Sequence, residues 1–592
     1  MIFQLPVRSD LRLDKSSHPI ERLFDRIFAH AWISYALIFV LQLKIIWNMW
    51  KFRDLTTGDT SSYFVDAYRW YEHFHVNFVW SPLYTAFYGS ILQATHGDVL
   101  QATIFHRVII VMLAAMGVLS LMRSLMPAAL ALLIAAWWAV LPINFNTLYE
   151  VHLFGLLPIL IAWLAVAMRD TPWTWAWALA ILFASTFLMR NEDVVALAVF
   201  AAICGVRELR QSRLVSARRS VFCKGRAFIY GIPMLCALFL IAMFYWRSIV
   251  RFPQIFQALH LKHTVNMCQV YAFGYAERHP DWTFSPWLEC APLMQTVFGH
   301  SMPTLVQMLA GNPPATIMHF LWNLSLTFNG LQVALFNMMS GTVNPDYAPV
   351  STNVTAASLL SIFVLAILVA GGVKLIRHWD YWFTGWLRER RGLMLAMLSV
   401  LWVSVPVILV ERPRPSYLFA STLVIMAAIG FAGYVLLENR RMIFAKVLAI
   451  LGVPALAFLM PSYYATHQSD RPLYTDYLRL EPSGALLQSA NNRIIFGDYA
   501  GELRNYLLLQ SDGSQVFDYG ILSSWQAPQT LDQFLNAHKI NVLFVQPRLM
   551  DQLASMPTAQ QILQEPESLG WRRLAPAGAG AAWLLLYRPP QN

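Results

Sequence analysis

Charge is what this chain has least of. Of its 592 residues only 13% are Asp, Glu, Lys or Arg, about half the share of an ordinary soluble protein. So few charges cannot cover the surface of several soluble domains without aggregation, and that class is excluded. Cysteine is scarce too. Five residues, with no C-x-x-C and no His/Cys metal spacing, exclude a disulfide scaffold. What remains is apolar: 57% hydrophobic residues, 22 Trp and 37 Phe, with a mean hydropathy of +0.47. That composition excludes a disordered or collagen-like chain and describes a polytopic α-helical membrane protein.

The formal net charge of +10 does not indicate a nucleic-acid partner. Lys and Arg fall in short clusters between apolar runs, which is how cytoplasmic loops of membrane proteins are marked. Runs long enough to cross a bilayer lie near 28–48, 103–124, 126–143, 151–168, 172–189, 192–206, 227–246, 354–376, 392–411, 417–437 and 443–461. The length criterion gives about 11–13 transmembrane helices. The first run follows Arg8, Arg12, Lys15, Arg22 and Arg26 without a small-residue cleavage site, and reads as a retained anchor. If residues 1–27 are cytoplasmic, the segments 207–226, 377–391 and 438–446 must be cytoplasmic too. Each is rich in Arg or Lys, as the positive-inside rule requires. The expected location is a bacterial inner membrane, with the C-terminus outside.

Three outer stretches exceed mere connections: 49–102, 247–353 and 462–592. The domain reading is therefore a membrane domain over 28–461, carrying the loops 49–102 and 247–353, followed by a tail over 462–592. In the tail, apolar runs at 493–496, 515–517, 542–545 and 582–587 alternate with helical patterns at 500–509, 530–538 and 548–555, which predicts a small periplasmic α/β domain. An amphipathic stretch near 315–340 is expected at the membrane interface or re-entering it, because a full crossing would reverse the side of 377–391. Cys268 and Cys290, the only cysteines on the outer side, are candidates for a disulfide in an oxidising compartment. Cys204, Cys223 and Cys236 read as packing residues.

Ionisable groups at span ends are costly and often functional. They occur here in Gly58-Asp59 of the first outer loop, His106-Arg107, Tyr149-Glu150-Val151-His152, Arg190-Asn191-Glu192-Asp193, and Glu411-Arg412-Pro413-Arg414-Pro415-Ser416-Tyr417. All fall on the outer side in this topology. In order and spacing the chain resembles the GT-C glycosyltransferases, the polyprenyl-phosphate-sugar-dependent enzymes that include protein O-mannosyltransferase and aminoarabinose transferase relatives. The resemblance rests on Gly58-Asp59, Tyr63, Pro82-Leu83-Tyr84, Arg107, Glu150, Arg190-Asn191-Glu192 and the segment from Arg412 to Tyr417, across roughly residues 25–440. Three departures are visible. Thr60 stands where a second acid is usual, Ser81 where a proline is usual, and Glu150 lies within Tyr-Glu-Val-His where many members have Arg and Asp nearby.

The resemblance implies transfer of a sugar, with inversion, from a polyprenyl-phosphate donor to a lipid, glycan or protein acceptor. Asp59 and Glu150 are then the candidate catalytic acids, with Asp59 as base or acceptor-orienting carboxylate. Arg107, Arg190, Arg412 and Arg414 are the candidates for the donor phosphate. Tyr63, His152 and Lys262 are candidate substrate contacts. A divalent metal ion is the one cofactor considered, for an acceptor that is itself a phosphate. His263, His279, His300 and His319 read as structural. The rival classes are a transporter or flippase of lipid-linked sugars, an O-antigen-ligase-like transferase and a non-catalytic scaffold. The absence of an internal repeat argues against the transporter, and the early Gly-Asp loop against the ligase.

Overall fold

The computed structural model describes residues 26, 28–49, 58–74, 76–77, 81–145, 150–214, 219–246, 252–287, 289–346, 350–466, 494–497, 515–517, 519–526, 528–545, 547–573 and 584–589. The chain divides into two compact units. One comprises 1–47, 77–84 and 107–462; the other 48–76, 85–106 and 463–592.

Up to residue 462 the described elements are helical. In chain order they are α1 (Ala31–Ile45), α2 (Gly58–His73), α3 (Pro82–Ala94), α4 (Val99–Leu125), α5 (Ala128–Val140), α6 (Glu150–Met168) and α7 (Pro172–Leu188). Then come α8 (Val194–Leu214), α9 (Arg219–Tyr245), α10 (Phe252–Arg278), α11 (Cys290–Phe298), α12 (Leu305–Gly311), α13 (Pro313–Phe336) and α14 (Val354–Arg377). A helical run, α15 (Trp379–Leu409), contains a π-helical turn at Phe383–Leu387. The last two are α16 (Phe419–Val447) and α17 (Val453–Leu459).

Short polar caps decide where several apolar runs become helices. Thr171 and Thr174 form a reciprocal capping box ahead of α7, with Pro172 at the first helical position. Asn312 caps α13, again with proline behind it, and Asn353 caps α14. Such side chains satisfy backbone N–H groups that the helix itself leaves over, which matters most where no water can do so.

Seven helices are long and apolar enough to cross a membrane, and α1, α5 and α7 are shorter apolar helices. Each of the eleven runs read from the sequence falls on described helix, the last on the end of α16, a π-helical turn at Leu448–Gly452 and α17, so the chain is a multi-pass helical membrane protein. In α9 only 11% of the apolar window is buried by protein, and in α14 only 6%. Both leave most of that window uncovered by protein, whereas α6 and residues 107–125 of α4 form the interior of the first unit. At the end of α1, Lys44 donates to the carbonyls of Ala457 (2.7 Å), Phe458 (3.2 Å) and Met460 (2.6 Å), closing the end of α17 with a cation, as helix C-termini favour.

In the second unit, Phe64 and Ala67 of α2 pack with Tyr88 and Leu92 of α3 and Ala102 of α4. The tail contributes helices α18 (Leu531–Ala537), α19 (Pro547–Ala554) and α20 (Gln560–Gln564). Its strands are β1 (Ile494–Gly497), β2 (Gln515–Phe517), β3 (Val542–Val545), β4 (Arg572–Arg573) and β5 (Leu584–Tyr587). They form one sheet in the order β2-β1-β3-β5-β4. β1 pairs parallel with β2 and β3, while β5 runs antiparallel to β3 and β4. Its core is built from Phe496, Phe534, Leu543, Leu549, Trp571 and Leu586 among others. The helical pattern at 500–509 lies outside the described residues.

Candidate functional site

α6 begins at Glu150, and His152 follows within its first turn. His152 Nδ1 lies 2.8 Å from Ser416 Oγ, and the imidazole sits 4.6 Å from the Tyr417 ring. Two guanidinium groups flank that same ring, Arg190 at 4.9 Å and Arg414 at 5.2 Å. The positive charges of Arg190, Arg414 and Lys262 all act on His152. The structure thus gathers His152, Arg190 and Arg414, from α6, the α7–α8 turn and the segment before α16, around Tyr417, with Lys262 of α10 near His152.

The local backbone explains how Arg190 arrives there. After α7 the chain turns through a single 3-10 turn at Asn191–Asp193, with Ser185 Oγ donating to Asp193 at 3.1 Å. The Arg190 stem then crosses α6 at Gly155, where a Cβ would lie 2.9 Å from Arg190 Cδ. Ser81 Oγ donates to the neighbouring Met189 carbonyl at 2.9 Å. Ser81 has φ +41°, a conformation that is uncommon outside glycine. It precedes Pro82, and Tyr84 meets Phe154 of α6 edge-on at 5.4 Å. The Ser81-Pro82-Leu83-Tyr84 turn therefore packs on the α6 and α7 ends that carry His152 and Arg190.

The 409–414 segment is held by α13. Asn323 Nδ2 donates to the carbonyls of Leu409 (3.2 Å) and Glu411 (2.6 Å), and His319 Nε2 lies 3.0 Å from the Val410 carbonyl. Gly330 lets Pro413 approach: a Cβ there would stand 2.4 Å from the Pro413 carbonyl oxygen. Arg414, now in place, has Nε 3.3 Å from Asp346 Oδ1.

Three residues expected at the reacting centre are engaged otherwise. Arg107 is fully buried, its Nε 3.1 Å from Glu150 Oε1, and Glu150 is nearly as buried. The two opposite charges face each other inside the protein, as burial demands. Arg412 is also buried. Its Nη2 donates to Glu277 Oε1 at 2.5 Å and to the Asn344 carbonyl, and its Nε to Pro345 O at 2.9 Å. Asp59 lies in α2, and its side chain is outside the described residues. Tyr63 is buried within the second unit. Among the described residues no three His, Cys, Asp or Glu converge as a metal ion would need.

Cys268 of α10 and Cys290 of α11 are joined, with Cα atoms 5.4 Å apart, in a core with Tyr271, Leu293, Met294 and Phe298. Sequence reading missed Glu277 and Asp346, the acids that meet Arg412 and Arg414. Neither sits in a motif, and only their place in the long stretch 247–353 could have pointed to them.

No family model matches the sequence, and no curated protein does. Among solved structures the chain is similar to the oligosaccharyltransferase of Archaeoglobus fulgidus in complex with Zn and sulfate, at 13% identity over 94% of this chain and 73% of that one, with a TM-score of 0.39. It is also similar to ArnT from Cupriavidus metallidurans in the apo state, at 13% identity over 96% of this chain and 100% of that one, with a TM-score of 0.35. A second structure of the Archaeoglobus fulgidus enzyme, AglB with an inhibitory peptide and a dolichol-phosphate, gives 14% identity over 96% and 74%, with a TM-score of 0.36. At these identities and scores the likenesses transfer neither a substrate nor a residue's role.

Proposed function

We propose that this protein is a membrane glycosyltransferase of the GT-C kind, moving a sugar from a polyprenyl-phosphate carrier to a lipid, glycan or protein acceptor at the outer face of a bacterial inner membrane. The observation that carries the reading is the group around Tyr417: Arg190 and Arg414 on one ring, beside the His152–Ser416 pair, at the ends of helices that are otherwise apolar. A ligand suited to it has an anionic head and a long apolar tail. Guanidinium groups give phosphate paired, charge-assisted hydrogen bonds, and the apolar helix walls take the tail.

In such a transfer the acceptor hydroxyl attacks the anomeric carbon, the carbon–oxygen bond to the carrier phosphate breaks, and the phosphate leaves with the electron pair. Arg190 and Arg414 stabilise the charge that grows on it. Asp59 is assigned to take the acceptor proton, a step worth about 10²–10⁴-fold. His152, hydrogen-bonded to Ser416, orients the head group, and Lys262 adds to the positive field.

The test is sugar transfer in membranes from a labelled polyprenyl-phosphate donor. Arg190→Ala and Arg414→Ala should each raise the apparent KM for that donor at least tenfold, and Asp59→Asn should abolish turnover with donor binding retained. Unchanged donor use by both arginine variants would remove the phosphate site, and full turnover by Asp59→Asn would remove the base.

A further inference from the structure

Arg412 reads in the sequence as one more phosphate ligand beside Arg414. Its surroundings give it another task. The guanidinium is buried, with Nη2 on Glu277 Oε1 and the Asn344 carbonyl and Nε on Pro345 O. Glu277 is engaged on both oxygens, because Oε2 accepts from Trp322 Nε1 at 2.9 Å. One carboxylate at the end of α10 therefore ties α13, through Trp322, to Arg412, and Arg412 in turn grips two consecutive carbonyls of the chain that leads to α14. The next residue of that chain is Asp346, whose Oδ1 meets Arg414 Nε.

We infer that Glu277 is a positioning residue: it fixes Arg412, and through Arg412's hold on Asn344 and Pro345 it sets Asp346 against Arg414, which aims the Arg414 guanidinium at Tyr417 and the anion. The inference rests on the reading of Arg414 as a donor-phosphate ligand. A buried guanidinium needs its carboxylate; without it the charge is left uncompensated and the side chain withdraws toward solvent. The carbonyls of Asn344 and Pro345 then lose their donor, and the segment carrying Asp346 loosens. Arg414 keeps its charge but loses the partner that orients it. The effect is on binding of the anion, not on the chemical step.

Glu277→Gln, Glu277→Asp and Arg412→Lys test this in the full-length protein in detergent or membranes. Two readouts are needed. Hydrogen–deuterium exchange of segments 340–346 and 410–414 reports the positioning without any ligand. The apparent KM and kcat for a polyprenyl-phosphate sugar report its consequence. Expected for Glu277→Gln is faster exchange in both segments, a KM raised about tenfold and kcat within about twofold, with Glu277→Asp recovering part of the KM. Arg412→Lys should resemble Glu277→Gln, since an ammonium cannot reach three acceptors in one plane, and the double variant should cost little beyond either single one.

Unchanged exchange in Glu277→Gln overturns the positioning role whatever the kinetics. Faster exchange with an unchanged KM overturns its link to the anion, and a fall in kcat alone overturns the assignment to binding. If the unaltered protein neither binds nor turns over the donor, the functional reading fails instead, and the exchange data still decide whether Glu277 holds the segment.

Discussion

Tyr417 explains how two arginines can share a small space beside a histidine. Like charges repel, yet each guanidinium faces the negative π-surface of the ring at about 5 Å, which is worth about 0.5–2 kcal/mol for each cation. Tyr417→Leu removes that surface and should raise the donor KM about fivefold, whereas Tyr417→Phe should stay near the unaltered value. Equal KM values for the two would deny the ring its role.

A second residue-scale prediction separates binding from stability. Arg107 and Glu150 face each other as a buried pair of opposite charge, so removing either takes a compensating charge away from the other. Glu150→Gln or Arg107→Met alone should destabilise by about 3–5 kcal/mol, read as a lower melting temperature in detergent, and the double replacement Arg107→Met with Glu150→Leu should restore much of it. A catalytic Glu150 would give the opposite pattern: a stable single variant without turnover. The residue types were legible in the sequence, since every one of these groups stands at a span end. Their partners were not, because Arg107 and Glu150 are 43 positions apart and Arg412 and Glu277 are 135 apart. Only the folded chain decides which charge meets which.

At the scale of the element, α13 does the most to shape the site. Its amphipathic pattern marked a helix, and Pro313–Phe336 forms one. The pattern did not reveal that the polar face, with His319, Asn323 and Gly330, is turned onto the carbonyls of 409–413. Those carbonyls belong to a chain that leaves α15 and turns through Pro413 and Pro415, so they need donors from elsewhere. The contact gives α13 a pH dependence. Burial pushes the His319 imidazole down to about 4; the Val410 carbonyl partly offsets this, and the Arg278 charge adds to it.

The folded state therefore holds His319 neutral, while an unfolded chain protonates it at about 6.5. Stability from this group is whole above that pH and is lost as pH falls from about 6.5 toward 4, because the unfolded state then binds the proton. His319→Gln should flatten the fall in melting temperature over this window; an unchanged slope would place the titration elsewhere. Gly330→Ala probes the same interface from the backbone side. Its Cβ would collide with the Pro413 carbonyl oxygen, and overpacking of this kind costs about 1–3 kcal/mol, with a raised donor KM if α13 sets the 409–414 turn.

At the scale of the whole molecule, hydrophobic run length carried most of the information. Each span read from the sequence has its helix, because an apolar run inside lipid has no other way to satisfy its backbone. Where the boundaries differ, the cause is local. α8 runs on to Leu214, well past its apolar part, since Arg, Glu, Leu and Gln are all good helix formers. α15 begins at Trp379, because the aromatic stretch 379–386 joins the apolar run behind it. Four of the tail's five described strands fell within a residue or two of their apolar runs, and β4, formed by Arg572 and Arg573, had none; the order β2-β1-β3-β5-β4 was hidden, since pairing between distant strands leaves no local pattern.

Sidedness now turns on α13. It is 24 residues long but is not among the helices apolar enough to cross, and His319, Asn323, Asn329 and Gln332 are buried polar residues on it. If α13 stays at the outer surface, Arg377, Arg388, Arg390 and Arg391 of the following connection are cytoplasmic, where an excess of arginine belongs. If it crosses, those four charges face outward against the rule. An alkaline phosphatase fusion after Arg391 should therefore be inactive, one after residue 225 inactive, and one after residue 470 active. An active fusion at 391 together with an inactive one at 470 would mean that α13 spans. The tail would then lie inside, and Tyr417 would fall on the opposite side from His152 and Arg190, against the contacts they make.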